Sequence, residues 1–397
     1  MMQPIARKKP GELFGVDDEQ FRPFDKGATT RVGASTPIGV YEPTPDTPQI
    51  IDGFVFQTQT LRRMMVWLAS ASLPETYSKA KMKRNLMVYG PTGCGKTEQI
   101  RQLAARTGRS MFRFQCSKDA EVSQLFGSWK LCKPILKDGD MDEDSGVVER
   151  GFASISRAIE KLTISLKRLT GVGPEMTFVD GPVLRWARTP YSILLLDEID
   201  QLEPETTMSL NCILDGDDIF VPETGERVKI SKGCVIAATG NTNGRGSAGG
   251  NGGSASLYKG VKRQNIASLD RFFVVNATYL GKAEEVALLV DQCKMPEPAA
   301  EIMASMAESI RKQFLGLNED AGATGVPLEF TITTRNLINW AMAHRLMIQM
   351  GLPTNEAFRE SLKMTLLDFA SASDSEAVLM TFDNLLGDVP SGPATTV

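Results

Sequence analysis

The stretch that decides the fold of this chain is Gly90-Pro91-Thr92-Gly93-Cys94-Gly95-Lys96-Thr97. It fits the phosphate-binding pattern GxxxxGK[ST] without a mismatch. The apolar run 86–89 before it predicts a buried strand, and residues 97–104 after it predict a helix. In such a loop the glycines let backbone N–H groups turn toward phosphates, and the helix N-terminus adds a favourable dipole. The pattern therefore predicts that the chain binds a nucleoside triphosphate.

Four side chains are predicted to handle the phosphates and their counterion. Lys96 would reach the β- and γ-phosphates, and the hydroxyl of Thr97 would ligate Mg²⁺. An apolar strand that ends in carboxylates usually completes such a site, and residues 193–198 read Ile-Leu-Leu-Leu-Asp-Glu. Asp197 is predicted to hold Mg²⁺ directly or through its water shell. Glu198 is predicted to orient the attacking water or to accept its proton.

A third apolar run, 234–239, leads into a polar segment that a parallel sheet would bring to the same edge as Asp197. Asn241 or Asn243 is predicted to position water against the γ-phosphate. Ordinary turn chemistry is the alternative, because Asn and Gly also dominate turns. Asp200 is predicted to cap the following helix rather than to act as a third catalytic acid.

Two arginines, Arg271 and Arg335, stand beside predicted helix boundaries. Phosphoryl transfer leaves dispersed charge on the γ-phosphoryl group, and an arginine supplied in cis or in trans raises the rate by roughly 10³–10⁵. From spacing alone, each of these arginines is more typical of a surface or capping residue.

Composition bounds the class of protein. The 397 residues are enough for two to three domains, and the net charge of −4 gives no general attraction to nucleic acid or acidic lipid. No apolar run approaches the length of a membrane span, and the N-terminus lacks the apolar core of a signal peptide. The six cysteines form no CxxC pair, and a single histidine rules out a histidine-based metal centre. We expect a cytoplasmic protein without a membrane association.

The chain divides into four parts. Residues 1–51 are predicted to be an N-terminal extension, partly disordered, because Pro, Thr and charged residues dominate. In residues 52–280, strand-like runs alternate with helical stretches, which predicts an α/β nucleotide-binding core with a parallel sheet flanked by helices. Helical periodicity dominates residues 281–387 and predicts an all-α domain. Residues 388–397 are predicted to be a flexible tail.

Four local features accompany this division. The apolar segment 12–16 would dock on the body of the protein or on a neighbouring subunit. The periodicity of residues 154–170 predicts an amphipathic helix inserted in the core, which packs on its own domain or faces a partner. Residues 219–230 are predicted to form a β-hairpin. His344 shares a helical face with apolar residues and is predicted to be packed.

Taken in order, these motifs resemble an AAA+ ATPase of the MoxR branch, most closely the CobS-type small subunit of cobaltochelatase. The resemblance covers most of the chain. The segments that carry it are Leu13–Asp17 with Pro23–Phe24, Asp197-Glu198, Ala238–Thr242, Leu257–Gly260, Leu269–Phe272, Tyr279-Leu280, and Thr334–Arg335 with Trp340–Ala341.

The resemblance implies an α/β AAA+ core followed by a helical lid, and hydrolysis of ATP with Mg²⁺. It gives Asn241 the role of first sensor and Arg335 that of second sensor. It makes Arg271 a finger that reaches the ATP of a neighbouring subunit. It further implies a homo-oligomeric ring, usually hexameric, and a partner with a von Willebrand A-type domain (CobT-like). Such a machine remodels a protein client.

Three other functions stay open at this point. The chain could be a nucleotide-gated assembly scaffold that hydrolyses ATP slowly, or the ATPase subunit of a chelatase proper. A nucleic-acid remodeller is the third alternative, and the overall acidity argues weakly against it because a basic pore need not show in the net charge.

Overall fold

Buried apolar runs form the inner strands of the central sheet. The computed structural model describes residues 4–16, 38–70, 85–132, 175–241, 266–315, 328 and 330–387. In chain order the strands are β1 (Ala6–Lys8), β2 (Ile38–Val40), β3 (Asn85–Tyr89), β4 (Met111–Gln115), β5 (Gly127–Cys132), β6 (Glu175–Asp180), β7 (Ile193–Asp197), β8 (Ile219–Val221), β9 (Glu226–Val228), β10 (Val235–Gly240) and β11 (Phe272–Asn276).

Helices connect these strands and then make up the C-terminal part of the chain. Within the described ranges, no helix is long and apolar enough to span a membrane. The helices are α1 (Pro10–Phe14), α2 (Thr58–Ser70), α3 (Lys96–Thr107), α4 (Val122–Phe126), α5 (Pro182–Arg188), α6 (Pro204–Ser209), α7 (Asn211–Asp215), α8 (Ile266–Leu269), α9 (Lys282–Cys293), α10 (Glu297–Leu315), α11 (Thr334–Gln349), α12 (Thr354–Leu362) and α13 (Ala372–Gly387).

A parallel sheet of β11-β3-β10-β7-β4, in that spatial order, forms the centre of the core. Helices cover both of its faces, so the inner strands β3, β7 and β10 read as mainly apolar runs rather than alternating ones. Strand β7 illustrates the division between the two layers. Leu194 and Leu196 join one hydrophobic cluster, whereas Ile193 and Leu195 join the cluster on the opposite face. All four side chains are fully buried.

The helices from α9 onward pack around a separate hydrophobic core, and we call this unit the lid. Trp340 is fully buried and lies edge-on to Phe358, with 6.3 Å between ring centroids. Leu289, Met303 and other apolar side chains complete the cluster. The predicted fold class, an α/β core with a parallel sheet followed by an all-α lid, is confirmed.

The N-terminal segment predicted to dock does so on the body of its own chain. Leu13 and Phe14 are buried in the cluster that covers one face of the sheet. The rings of Phe14 and Phe56 meet edge-on with centroids 5.2 Å apart. Arg106 of α3 donates to the carbonyl of Leu13 at 3.2 Å. These contacts place α1 against the helix that follows the phosphate loop.

Two antiparallel strand pairs lie between strands of the central sheet in chain order. Strands β8 and β9 pair antiparallel within the predicted hairpin 219–230, and β5 pairs with β6. Several predictions concern residues outside the described ranges: the inserted helix 154–170, the tail 388–397, Asn243, and the family segments Pro23–Phe24 and Leu257–Gly260.

His344 is packed inside the lid, as predicted. Its imidazole is 5% exposed and lies 4.0 Å from the ring of Phe358, centroid to centroid. Because burial disfavours the charged form, the pKa of His344 falls from 6.5 to about 4. The histidine is therefore neutral in the folded protein at neutral pH.

We predict that this histidine destabilises the fold in mild acid. The unfolded chain takes up a proton near pH 6.5, but the folded chain does so only near pH 4. Between these values the free energy of unfolding should fall with decreasing pH, by at most about 1.4 kcal/mol per pH unit for one proton. Urea unfolding of the parent and of His344→Leu across this window measures the effect. If both proteins lose stability with the same slope, the assignment to His344 is wrong.

Candidate active site

The register of the parallel sheet gathers polar side chains at one edge. Gln115 is paired with Asp197 across β4 and β7, and Gly240 is paired with Tyr89 across β10 and β3. Since Leu196 pairs with Ala238, the next residue, Thr239, lies beside Asp197. These positions are all carboxyl ends of strands, which is where open α/β sheets bind ligands.

At two positions of the phosphate loop only glycine fits, because atoms from other parts of the chain lie too close for a side chain. A Cβ on Gly90 would collide with the carbonyl oxygen of Ala277. A Cβ on Gly93, whose φ is +72°, would collide with the side chain of Thr333. Ala277 follows β11, and Thr333 precedes the lid helix α11. The loop is therefore enclosed by the C-terminal end of the core and by the lid.

The ammonium group of Lys96 is buried inside the loop. Its Nζ donates to the carbonyls of Gly90 and Pro91, both at 2.9 Å, and to Oδ1 of Asn241 at 3.0 Å. Burial lowers the pKa of Lys96, and its interactions with Cys94 and with the carboxyl groups at and just after the end of β7 oppose this effect. Lys96 and Asn241, 145 positions apart in sequence, thus meet at one point.

Asp197 receives hydrogen bonds from three different elements. Its Oδ1 accepts from the hydroxyl of Thr97 in α3 at 2.8 Å, and from the hydroxyl of Thr239 in β10. Its Oδ2 forms an ion pair with Arg113 of β4 at 2.5 Å. The carboxylate is almost fully buried, and a buried charge is stable only when it is paired and hydrogen-bonded in this way.

Glu198 follows Asp197 in a left-handed backbone conformation, with φ of 58° and ψ of 48°. Its Oε2 accepts from the amides of Gln115 at 3.0 Å and of Gln201 at 2.7 Å. Burial raises the pKa of Glu198, and the charges of Asp197 and Asp200 raise it further. A carboxyl group with a raised pKa is a better proton acceptor than an ordinary one when it is ionised.

Asp200 does not cap the following helix, so that prediction is wrong. The N-cap residue of α6 is Glu203, whereas Asp200 lies in the single helical turn Ile199–Gln201. Its Oδ2 accepts the backbone N–H of Asn241 at 2.8 Å. Asp200 therefore holds the end of β10, and through it the amide that contacts Lys96.

The two predicted arginines lie apart from this cluster. Arg271 precedes β11 at the amino edge of the sheet, opposite the phosphate loop, and forms a bidentate ion pair with Asp215 at 2.7 and 2.9 Å. Arg335 is exposed in the first turn of α11, two residues after Thr333, which borders the loop. Within one chain, the structure therefore places Thr333, two residues before Arg335, against the phosphate loop and leaves Arg271 at the far edge of the sheet.

Three polar residues at this edge were missed in the sequence: Arg113, Gln115 and Thr239. In β4 the apolar Phe112 and Phe114 alternate with Arg113 and Gln115. That alternation predicts a strand with Arg113 and Gln115 on its polar face. Only the sheet order, however, makes β4 the neighbour of β7. Thr239 ends an apolar run and carried no signal of its own.

Comparison with known proteins agrees with this geometry. Residues 85–259 match the family model of the AAA domain (dynein-related subfamily). The matched segment begins with β3 and includes the phosphate loop, Asp197-Glu198 and Asn241. Residues 85–259 are therefore similar to an AAA domain of the dynein-related subfamily, and the sheet order and helical lid fit an AAA+ ATPase.

Individual relatives are more distant. An uncharacterized protein of Staphylococcus haemolyticus is 26% identical over 200 residues, which is 50% of this chain and 57% of the relative. One of Staphylococcus saprophyticus is 26% identical over 207 residues, 52% of this chain and 60% of the relative. One of Staphylococcus aureus is 27% identical over 200 residues, 50% of this chain and 57% of the relative. The chain thus spans less than two thirds of the length of these relatives.

We predict that two substitutions shift the pKa of Glu198 in opposite directions. Asp200→Asn removes a negative charge but keeps an oxygen for the N–H of Asn241, so the pKa should fall. Arg113→Gln removes a positive charge that lowers this pKa, so the pKa should rise. Carbon NMR of the glutamate carboxyl groups measures both, and Glu198→Gln assigns the resonance. Shifts of the same sign in the two variants would refute the electrostatic account.

Proposed function

We propose that this protein is a Mg²⁺-dependent ATPase of the AAA+ class. The observation that carries the proposal is the meeting of two contacts at the carboxyl edge of the sheet. Lys96 lies 3.0 Å from the amide oxygen of Asn241, and the Thr97 hydroxyl lies 2.8 Å from the carboxylate of Asp197. These contacts support the proposal because they join the phosphate loop to the ends of β7 and β10, where a triphosphatase site needs its carboxylates and its polar side chain.

The oxygens around Asp197 fit a magnesium ion. Mg²⁺ is commonly bound through one or two carboxylates together with substrate phosphates, rather than by a cage of protein ligands. Among the described residues, no group of three or more His, Cys, Asp or Glu side chains is arranged to hold a metal. Thr97 and Asp197 would hold the ion, which would share the Asp197 carboxylate with the guanidinium of Arg113. Bound Mg²⁺ would neutralise charge on the phosphates.

Each residue of the proposed site has a separate role in phosphate binding or proton transfer. Backbone N–H groups of the loop from Gly90 to Thr97 cradle the phosphates, and Lys96 leaves its loop carbonyls to contact the β- and γ-phosphates. Glu198 accepts a proton from the attacking water, and its raised pKa supports that role. Asn241 orients the γ-phosphate or the water.

Arg271 is proposed to act on the ATP of a neighbouring subunit. It lies at the edge of the sheet opposite its own phosphate loop, which supports action in trans rather than in cis. To reach a neighbour, it must exchange Asp215 for phosphate oxygens. Arginine suits both partners because its planar guanidinium binds carboxylate and phosphate in the same bidentate way. A homo-oligomeric ring, most simply a hexamer, follows from this proposal.

The work done by the ring is proposed to be remodelling of a protein client, as in MoxR-type and CobS-type ATPases. The motif order across the chain and the AAA domain at residues 85–259 support this proposal. A partner with a von Willebrand A-type (CobT-like) domain would link the ring to its client. Hydrolysis would move the lid, whose helix α11 borders the phosphate loop through Thr333, against the core.

We predict that binding and hydrolysis separate in two variants. Lys96→Ala removes charge-assisted hydrogen bonds to phosphate and should weaken ATP binding about 10- to 100-fold. Glu198→Gln should bind ATP normally but lose about 10²–10⁴ in turnover, because amide nitrogen and oxygen do not accept the proton. Glu356→Gln, the same change on an exposed lid residue, is the control. If Glu198→Gln keeps the parent turnover, Glu198 is not the base.

We predict that Arg271→Ala inactivates ATP turnover in trans. Turnover should fall roughly 10³-fold while ATP affinity stays within about twofold, since the arginine stabilises charge in the transition state. Mixing Arg271→Ala with Lys96→Ala subunits should restore part of the activity, because an intact loop then meets an intact Arg271 at some interfaces. A mixture that is as inactive as each variant alone would contradict action across subunits.

A further inference from the structure

The linker between the core and the lid runs along the back of the phosphate loop. Ala277 donates its N–H to the carbonyl of Tyr89 at 2.8 Å, and its own carbonyl fills the space where a side chain on Gly90 would lie. The next residue, Thr278, donates its N–H to the side chain of Gln57 at 3.3 Å. The linker is therefore bound to the core at consecutive residues before it enters the lid.

Tyr279, the third linker residue, contacts the phosphate loop itself. Its hydroxyl donates to the carbonyl oxygen of Thr92 at 2.9 Å. A trans peptide is planar, so the carbonyl of Thr92 and the N–H of Gly93 point in opposite directions. By holding the carbonyl on its own side, Tyr279 keeps the N–H of Gly93 turned away from itself. The orientation of this N–H matters, because loop N–H groups are the donors that bind phosphate.

A buried ion pair of the lid rests on the same tyrosine. The guanidinium carbon of Arg311 lies 4.2 Å from the centroid of the Tyr279 ring. Arg311 also forms two parallel hydrogen bonds with Glu285, at 2.8 and 2.9 Å, and the two side chains are 8% and 1% exposed. A buried ion pair is often no more stabilising than apolar residues of the same size, so this pair is weak evidence for stability.

The same arginine extends the contact to the start of α11. Arg311 donates through Nε to the carbonyl of Ile332 at 2.8 Å. Ile332 precedes Thr333, the N-cap residue of α11, whose side chain borders Gly93. Arg335 lies in the first turn of this helix. An unbroken series of contacts thus runs from the loop peptide to the beginning of the helix that carries Arg335.

We infer that Tyr279 and Arg311 are positioning residues that couple the phosphate loop to Arg335 of the lid. The inference rests on the proposed function, in which the loop holds a nucleoside triphosphate. Tyr279 sets the orientation of the loop peptide at Thr92. Arg311 contacts both the Tyr279 ring and the carbonyl of Ile332, and so connects that peptide with the start of α11. A nucleotide that shifts this peptide therefore shifts Arg335, and Arg335 in turn favours one orientation of the peptide.

The first test removes only the contact with the loop. Tyr279→Phe keeps the ring beneath Arg311 and loses the hydroxyl, so ATP affinity should fall about 3- to 10-fold. Titration of the full-length protein with mant-ATP measures it, in a Glu198→Gln background that prevents turnover. Tyr191→Phe is the matched control, because Tyr191 precedes β7 at the opposite edge of the sheet. Equal affinities of Tyr279→Phe and the parent would overturn the inference.

The second test asks whether Tyr279 and Arg311 act through Arg335. If their role were only structural, their effects on affinity would not depend on Arg335. Arg335→Ala is combined with Tyr279→Phe, and separately with Glu285→Leu/Arg311→Met, which replaces the ion pair by apolar side chains and leaves no buried charge unpaired. If the coupling exists, Arg335→Ala loses most of its effect on mant-ATP affinity in both backgrounds. Effects that multiply within about twofold in both backgrounds would overturn it.

Failure of the proposed function gives a different result. If Lys96→Ala binds mant-ATP as tightly as the parent, the loop is not the nucleotide site, and the coupling inference is overturned with it. The other result is that Lys96→Ala loses mant-ATP binding while Arg335→Ala keeps its full effect on affinity in both combined variants. In that case the nucleotide site stands and only the coupling is overturned. Urea unfolding of each variant verifies that the full chain remains folded.

Discussion

The buried carboxylate of Asp197 is the constraint on which the active edge of this protein depends. A charge removed from water must be compensated by hydrogen bonds and opposite charge, and here the compensation comes from α3, β4 and β10. Thr97 and Thr239 satisfy one oxygen and Arg113 the other. The requirement to pair one carboxylate therefore fixes the helix of the phosphate loop against two strands that are distant in sequence.

The second determinant is the route of the chain from core to lid. The linker after β11 passes so close to the phosphate loop that only glycine fits at position 90, and Thr333 of the lid approaches equally closely at Gly93. The phosphate loop therefore contacts both the α/β core and the lid, and not the core alone. The coupling that we infer between the loop and the lid depends on this arrangement, because packed cores resist continuous deformation.

Much of the fold followed from local patterns. The apolar run at 193–196 and the glycine-rich loop at 90–97 predicted strands, a helix and their order, since each pattern has a physical cause within a few residues. The side chains Lys96, Thr97 and Asp197 were expected to act together, and the structure brings them to one edge. The local pattern predicts the wrong role for Asp200 because its partner, the N–H of Asn241, follows a strand that is distant in sequence.

By itself, the sequence determined the class of the core, the phosphate loop and the acidic end of β7, because periodicity and short motifs encode local backbone geometry. Only the tertiary structure decided that Arg113 pairs with Asp197, that Arg271 lies at the far edge of the sheet, and that Tyr279 reaches Thr92. These contacts join residues far apart in the chain. Their existence depends on strand order and on how the lid packs, which no local pattern specifies.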